Sequence, residues 1–297
     1  MSFSDKESIS EEESYFENSY ERWVHLASPS VGAAVIFFCA DRVKLVSMAP
    51  LIRAENLTKR FGQIEAVRGV TLEVSAGEVV GFLGPNGAGK TTTMRMITGF
   101  LEPTQGEVTL QGFSLDAAPI QAKRSFGYLP EGAPAYPDMS ALEYLQFIGQ
   151  ARGLGGQALD ERLAAVISQV HLERVQQQTI ETLSKGFKRR VGIAQAILHD
   201  PPILIMDEPT DGLDPNQKHE VRQLIRSMGS TKAIVLSTHI LEEVEAVCTR
   251  VIVIAAGVIV FDGQPQEFEA RAPASVGRNR MDYVFRQMTA SGAEVRS

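Results

Sequence analysis

The sequence predicts an α/β protein built on a mainly parallel core sheet, and three observations lead there. Short apolar runs at Val79–Leu83, 203–206 and 233–236 have the length and unbroken hydrophobicity of strands buried on both faces. Each run ends in polar or glycine residues: a glycine-rich turn from Gly84, then Asp207-Glu208-Pro209, then Ser237-Thr238-His239. Polar groups at the carboxyl ends of buried strands are where open α/β sheets bind ligands. Between the first two runs the periodicity turns helical, which inserts a helical section into the connectivity of the sheet.

Composition sets the outer bounds. With 297 residues, 44% of them hydrophobic, the chain can bury the core of one large α/β domain or two small ones. Twenty-nine basic against 36 acidic residues leave a formal charge of −7. A broad basic footprint is absent, so no nucleic-acid partner is expected. Cys39 and Cys248 cannot supply a disulfide framework or a four-ligand zinc site, which points to a reducing, cytoplasmic setting. The longest apolar stretches, 31–40 and 251–261, fall short of the roughly 20 residues a membrane-crossing helix needs.

In chain order, the first 22 residues hold seven acids and two bases, and so account for −5 of the −7. This predicts a solvated, disordered extension over residues 1–47. Val35, Ile36, Phe37 and Phe38 within it would also suit a segment that touches a membrane surface. The folded domain is expected over 48–270, followed by a short polar tail over 271–297.

The strand Val79–Leu83 runs directly into Gly84-Pro85-Asn86-Gly87-Ala88-Gly89-Lys90-Thr91, with Thr92 in the helix that follows. Glycine, four residues, then Gly-Lys-Thr is the phosphate-binding loop in its required strand-to-helix setting. Its glycines let backbone N–H groups close around phosphates, and the helix N-terminus adds partial positive charge. Lys90 is expected on the β- and γ-phosphates and the Thr91 hydroxyl on Mg²⁺.

Ser140 and Glu143 then form a capping box, with Leu142, Leu145 and Ile148 at helical spacing behind it. Leu159, Leu163, Val166, Ile167 and Val170 make a second stripe, and core packing accounts for both. After the next buried strand, Asp207 can hold Mg²⁺ through its water shell and Glu208 can polarise an attacking water as general base.

In this order the motifs resemble the ATP-binding subunit of an ABC transporter, over about residues 51–266. Leu183-Ser184-Lys185-Gly186-Phe187-Lys188 resembles the family signature, Gly212-Leu213-Asp214 the D-loop, His239 the switch histidine, and Phe61 the aromatic that stacks on adenine. The resemblance implies a P-loop NTPase fold of the ABC ATPase type, with an N-terminal antiparallel β subdomain and a helical subdomain at about 132–183. It also implies a dimer, here a homodimer, in which Ser184, Lys185 and Gly186 meet ATP held by the second subunit, with Asp214 at the interface. His239 would contact the γ-phosphate and the general base.

Further implications are integral membrane permease subunits as partners and a peripheral position on the cytoplasmic face of the membrane. Two features depart from the common pattern. Glu131 in Gly127-Tyr128-Leu129-Pro130-Glu131 replaces the usual glutamine, though it can still ligate Mg²⁺ through oxygen. Lys185 and Phe187 replace glycine and glutamine in the signature, a variant that resembles the export-type and gliding-motility-type subgroup.

Lys185, Lys188, Arg189 and Arg190 read either as a cluster favouring the partner's phosphate or as a solvated basic face. The shortened region after Ala270 departs from that subgroup too, although 281–289 resembles its closing helix. The alternative functions are a soluble ABC ATPase acting on nucleic acid or ribosomes and, more distantly, a kinase on the same phosphate loop. A single phosphate loop without a coiled coil speaks against the first, and the signature, D-loop and His239 in proper order against the second.

Overall fold

The computed structural model describes residues 34–39, 42–47, 49–132 and 135–294, with side chains through residue 290 from Ala49 on. It divides into two compact units, Met1–Ala49 and Pro50–Ser297. In the first, β1 (Ala34–Cys39) and β2 (Arg42–Ser47) pair as an antiparallel hairpin, with Ala34 opposite Ser47. This hairpin lies within the segment assigned above to the acidic extension. Residues 1–33, to which most of that expectation applied, lie outside the described residues.

The second unit opens with β3 (Ile52–Phe61) and β4 (Ile64–Val74), which turn back on each other through Gly62 and Gln63. Then come β5 (Val79–Leu83), α1 (Lys90–Ile97), β6 (Gln105–Leu110) and β7 (Phe113–Ser114). Strands β4-β3-β6-β7 form an antiparallel sheet. Along β4, Val70, Leu72 and Val74 are buried while Thr71 and Glu73 are exposed, the alternation expected of a sheet with one wet face.

After α2 (Pro119–Arg124) and β8 (Phe126–Leu129) come three helices, α3 (Ala141–Ala151), α4 (Gly156–Gln169) and α5 (Lys185–Ile197). The Ser140–Glu143 capping box forms as expected: the Glu143 amide donates to Ser140 Oγ at 3.2 Å and the Ser140 amide to Glu143 Oε2 at 2.8 Å. Leu145, Leu163 and Val166 are buried in one apolar cluster with Val191 and Ala194 of α5, as their spacing requires. In β8, a Cβ on Gly127 would stand 1.8 Å from the Ala196 carbonyl oxygen, so α5 can lie against β8 only across a glycine.

The chain then alternates β9 (Ile203–Asp207), α6 (Pro215–Gly229), β10 (Ala233–Thr238), α7 (Leu241–Val247), β11 (Arg250–Ala255) and β12 (Val258–Gly263). It ends with α8 (Pro265–Ala270) and α9 (Arg280–Glu294). The central sheet has the order β12-β11-β5-β10-β9-β8; all neighbours are parallel except β12, an antiparallel edge.

Every residue of β5, β9 and β10 is buried, as both faces of this sheet are covered. On one face α1 and the antiparallel sheet enclose Val70, Phe82, Met94, Ile97 and Ile252. On the other, helices α3 to α6 pack over Leu204, Met206 and Ile234. Full burial of a side chain such as Phe82 contributes roughly 1.5–3 kcal/mol. Met281 and Val284 of α9 are buried with Phe268 and Val253, so the region after Ala270 packs on the sheet.

Candidate active site

The phosphate loop is held by its own lysine. Gly89 has φ +107°, where an L side chain is strained, and a Cβ there would also stand 2.8 Å from the Ala66 carbonyl oxygen. That glycine turns the chain directly into α1. Lys90 is 6% exposed, and its Nζ donates to the carbonyls of Gly84 at 2.7 Å and Pro85 at 3.2 Å. Burial holds its pKa below the ordinary lysine value, while Glu208, Asp207 and Glu131 oppose the shift. Thr91 and Thr92 sit half-buried in the first turn of α1, and Asn86 and Gly87 are exposed at the loop tip.

The register of β9 against β10 sets Asp207 beside Ser237. Asp207 is 1% exposed; its Oδ1 accepts from Ser237 Oγ, and its Oδ2 is buried with no hydrogen-bond partner. A buried carboxylate oxygen without a donor fits a hydrated divalent cation. Among the described residues no group of three or more His, Cys, Asp or Glu could hold a metal alone.

Glu208, the next residue, has φ +48°. Its amide donates to the Ser237 carbonyl and to Ser237 Oγ, each at 3.1 Å, and its Oε1 lies 3.1 Å from His239 Nδ1. Neighbouring strand ends thus bring the Glu208 carboxylate and the His239 imidazole within hydrogen-bond distance.

Phe61 ends β3 with its ring half exposed, and Lys59 Nζ lies 5.5 Å from the ring centroid. Glu131 is exposed just beyond β8, beside a cavity of about 240 Å³ lined also by Lys185, Lys188, Glu208 and Asp211. Ser184 is the N-cap of α5, its Oγ accepting from the Phe187 amide at 3.3 Å. Lys185 is exposed and pairs with Asp211 at 3.1 Å, whereas Gly186 is buried against the Gln217 side chain. Asp214 caps α6, accepting from the Gln217 amide at 2.9 Å.

The basic residues around the signature have different partners. Lys185 is exposed, Lys188 donates to the Glu181 carbonyl, and Arg190 pairs with Glu220. Arg189 does not belong to a solvated face, although it lines the same cavity as Lys185 and Lys188. It is 6% exposed and donates to backbone carbonyls at the ends of β8 and β9. Sequence reading missed this because adjacent basic residues look alike; helical phase relative to β8 was the only available signal. A cavity of about 870 Å³ is a cleft between α1, β8 and α3 whose lining includes Arg95, Lys123, Tyr128, Tyr144, Ile148 and Arg152.

Sheet order, phosphate loop and paired strand-end carboxylates together define a P-loop nucleoside-triphosphatase. The family model for ABC transporters matches residues 67–211. An uncharacterized ABC transporter ATP-binding protein YxlF of Bacillus subtilis is 38% identical over 227 residues, 76% of this chain and 75% of the relative. The Nod factor export ATP-binding protein I of Cupriavidus pinatubonensis is 35% identical over 233 residues, 77% and 72% of the two chains.

Among solved structures, an ATP-binding subunit of an ABC transporter aligns with TM-score 0.73 and 30% identity, covering 80% of this chain and 99% of that one. A dimeric post-hydrolysis state of the cassette MJ0796, bound to ADP and Pi, aligns with TM-score 0.67 and 26% identity over 72% and 98%. The chain belongs to the ABC transporter ATP-binding proteins, and it is an ATP hydrolase of that family.

Proposed function

We propose that this chain is the motor subunit of an export-type ABC transporter, acting as a homodimer on separate integral membrane permease subunits at the cytoplasmic face of the membrane. The observation that carries the reading is the strand-end constellation: Asp207 with a bare buried oxygen, Glu208 in hydrogen-bond reach of His239, and the buried Lys90 of the phosphate loop. The export direction is supported by the Nod factor export relative. No helix among the described residues is long and apolar enough to cross a membrane.

In this mechanism the phosphates of ATP displace the Gly84 and Pro85 carbonyls from Lys90 Nζ, and the backbone N–H groups of the loop and of α1 close on them. Phe61 offers its open ring face to the adenine. Thr91, Asp207 and Glu131 would hold Mg²⁺, which when bound neutralises charge developing on the phosphates. Glu208 accepts a proton from the attacking water, and His239 fixes the carboxylate so that it points where the water must lie.

Ser184, whose Oγ accepts from the Phe187 amide, and Lys185, which pairs with Asp211, stand exposed to meet the nucleotide of a second copy, with Asp214 exposed at the N-cap of α6. Closing and reopening of that dimer would be passed to the permease through the cleft beside Glu131. Replacing Glu208 with Gln tests the reading. ATP binding persists, turnover falls by about 100-fold or more, and an ATP-bound dimer accumulates in sedimentation. Hydrolysis at the parent rate refutes it.

A further inference from the structure

Arg189 is remote in sequence from everything it holds. Its Nε donates to the Pro209 carbonyl at 3.1 Å and its Nη1 to the Pro130 carbonyl at 3.2 Å, while Nη2 donates to the carbonyls of Asp207 and Glu208. All four acceptors are backbone oxygens; among the described residues no carboxylate is within ion-pair distance of the guanidinium, although Asp211, Asp207, Glu208 and Glu131 lie near enough to favour its charge. Desolvation of such a group is costly, and an apolar side chain of similar volume would pack the same space at less cost. What only arginine supplies is a rigid planar fork that reaches several diverging carbonyls at once.

Those carbonyls belong to the residues that do the chemistry. Glu208 has φ +48°, a conformation that a non-glycine residue keeps only where its surroundings over-determine it. Ser237 fixes the amide side of this residue and Arg189 the carbonyl side. Pro130, bound by the same guanidinium, immediately precedes Glu131. Arg189 itself lies five residues beyond Ser184, in the second turn of α5, whose start is exposed.

We propose that Arg189 is a positioning residue that locks the Glu208 backbone in its left-handed conformation and ties it to the Glu131 loop. A displacement at the start of α5 therefore reaches the general base of the same chain. Arg189 touches neither nucleotide nor water in this scheme; it acts through Glu208, and the inference rests on the reading of Glu208 as the base.

The test is Arg189→Lys, which keeps the charge but can reach only one or two of the four carbonyls. We expect kcat to fall on the order of 10- to 100-fold, the cost of a misplaced catalytic group. Affinity for a fluorescent ATP analogue should stay within about twofold, because the phosphate loop is untouched. In the Glu208→Gln background the same substitution should change the residual rate by less than about twofold, since two groups acting as one unit are not additive.

An unchanged kcat for Arg189→Lys, with Glu208→Gln still impaired, overturns the inference and leaves the base reading standing. An equal fall in both backgrounds, or a matching loss of nucleotide affinity, also overturns it. Parent-rate turnover by Glu208→Gln would remove the base reading and the inference together. Arg189→Gln, which retains one amide donor, serves if the lysine variant does not fold. Failure of both to fold would make Arg189 a folding element and refute the positioning role.

Discussion

Ser237 gives a prediction whose size can be worked from the structure. Its side chain is fully buried, and its Oγ donates to Asp207 Oδ1 while accepting from the Glu208 amide. Ser237→Ala removes both. The Glu208 amide keeps the Ser237 carbonyl at 3.1 Å, so little is lost there. Asp207 is left with two unpaired oxygens at 1% exposure, because Oδ2 has no partner to begin with. A hydrogen bond to a charged group contributes about 1.5–3 kcal/mol. For a domain of this size each kcal/mol corresponds to roughly 2–4 °C. The nucleotide-free variant should therefore melt roughly 3–12 °C below the parent at pH 7 in a calorimetric or circular-dichroism scan. A midpoint within about 1 °C of the parent would show that the hydroxyl does not hold the carboxylate, and the pairing of β9 with β10 would lose its assigned purpose.

Phe61→Ala should weaken ATP binding roughly 10-fold, since base–aromatic stacking is worth about 1–3 kcal/mol; equilibrium titration with an adenine nucleotide checks this, and an unchanged Kd refutes adenine stacking. His199 donates from Nε2 to the Phe126 carbonyl at 3.1 Å, while its Nδ1 is buried without a partner. Burial, with Arg152 nearby, pushes its pKa down to about 4. Between the ordinary histidine value and that point the unfolded chain takes up a proton that the folded chain refuses, so stability falls as pH drops through this window. His199→Gln should flatten the decline by about 2 kcal/mol, read from urea midpoints at pH 7 and pH 4.5, and an unaltered slope contradicts it.

The parts of the fold legible in the sequence were those written in consecutive residues. Gly84 to Thr91 is a contiguous pattern between a strand and a helix, and Ser140 with Glu143 is another; both need only local geometry. The buried strands announced themselves by continuous hydrophobicity, although their order in the sheet depends on crossovers that leave no local mark. Arg189 was misread for the same reason: its partners, Pro130 and Asp207 to Pro209, meet it only after β8, β9 and α5 have packed. Ser237 passed unremarked as one of three polar residues ending a strand, because its value comes from standing opposite Asp207. Asp214 and Gly186 were assigned from motif position, and the structure adds the N-cap of α6 and a contact with Gln217.

Whether ATP is hydrolysed at sites shared between two copies is decided most directly by mixing two inactive variants. Ser184→Arg spoils the exposed start of α5 and leaves the phosphate loop intact; Lys90→Ala does the reverse. A heterodimer of the two contains one site in which an intact loop faces an intact signature and one in which both are damaged. Turnover of an equal mixture should rise from near zero for either variant alone to roughly a quarter of the parent rate per subunit, the statistical share in a two-fold symmetric dimer. Parent-rate hydrolysis by Ser184→Arg alone would mean that each site is complete within one chain, and the shared-site mechanism would fall.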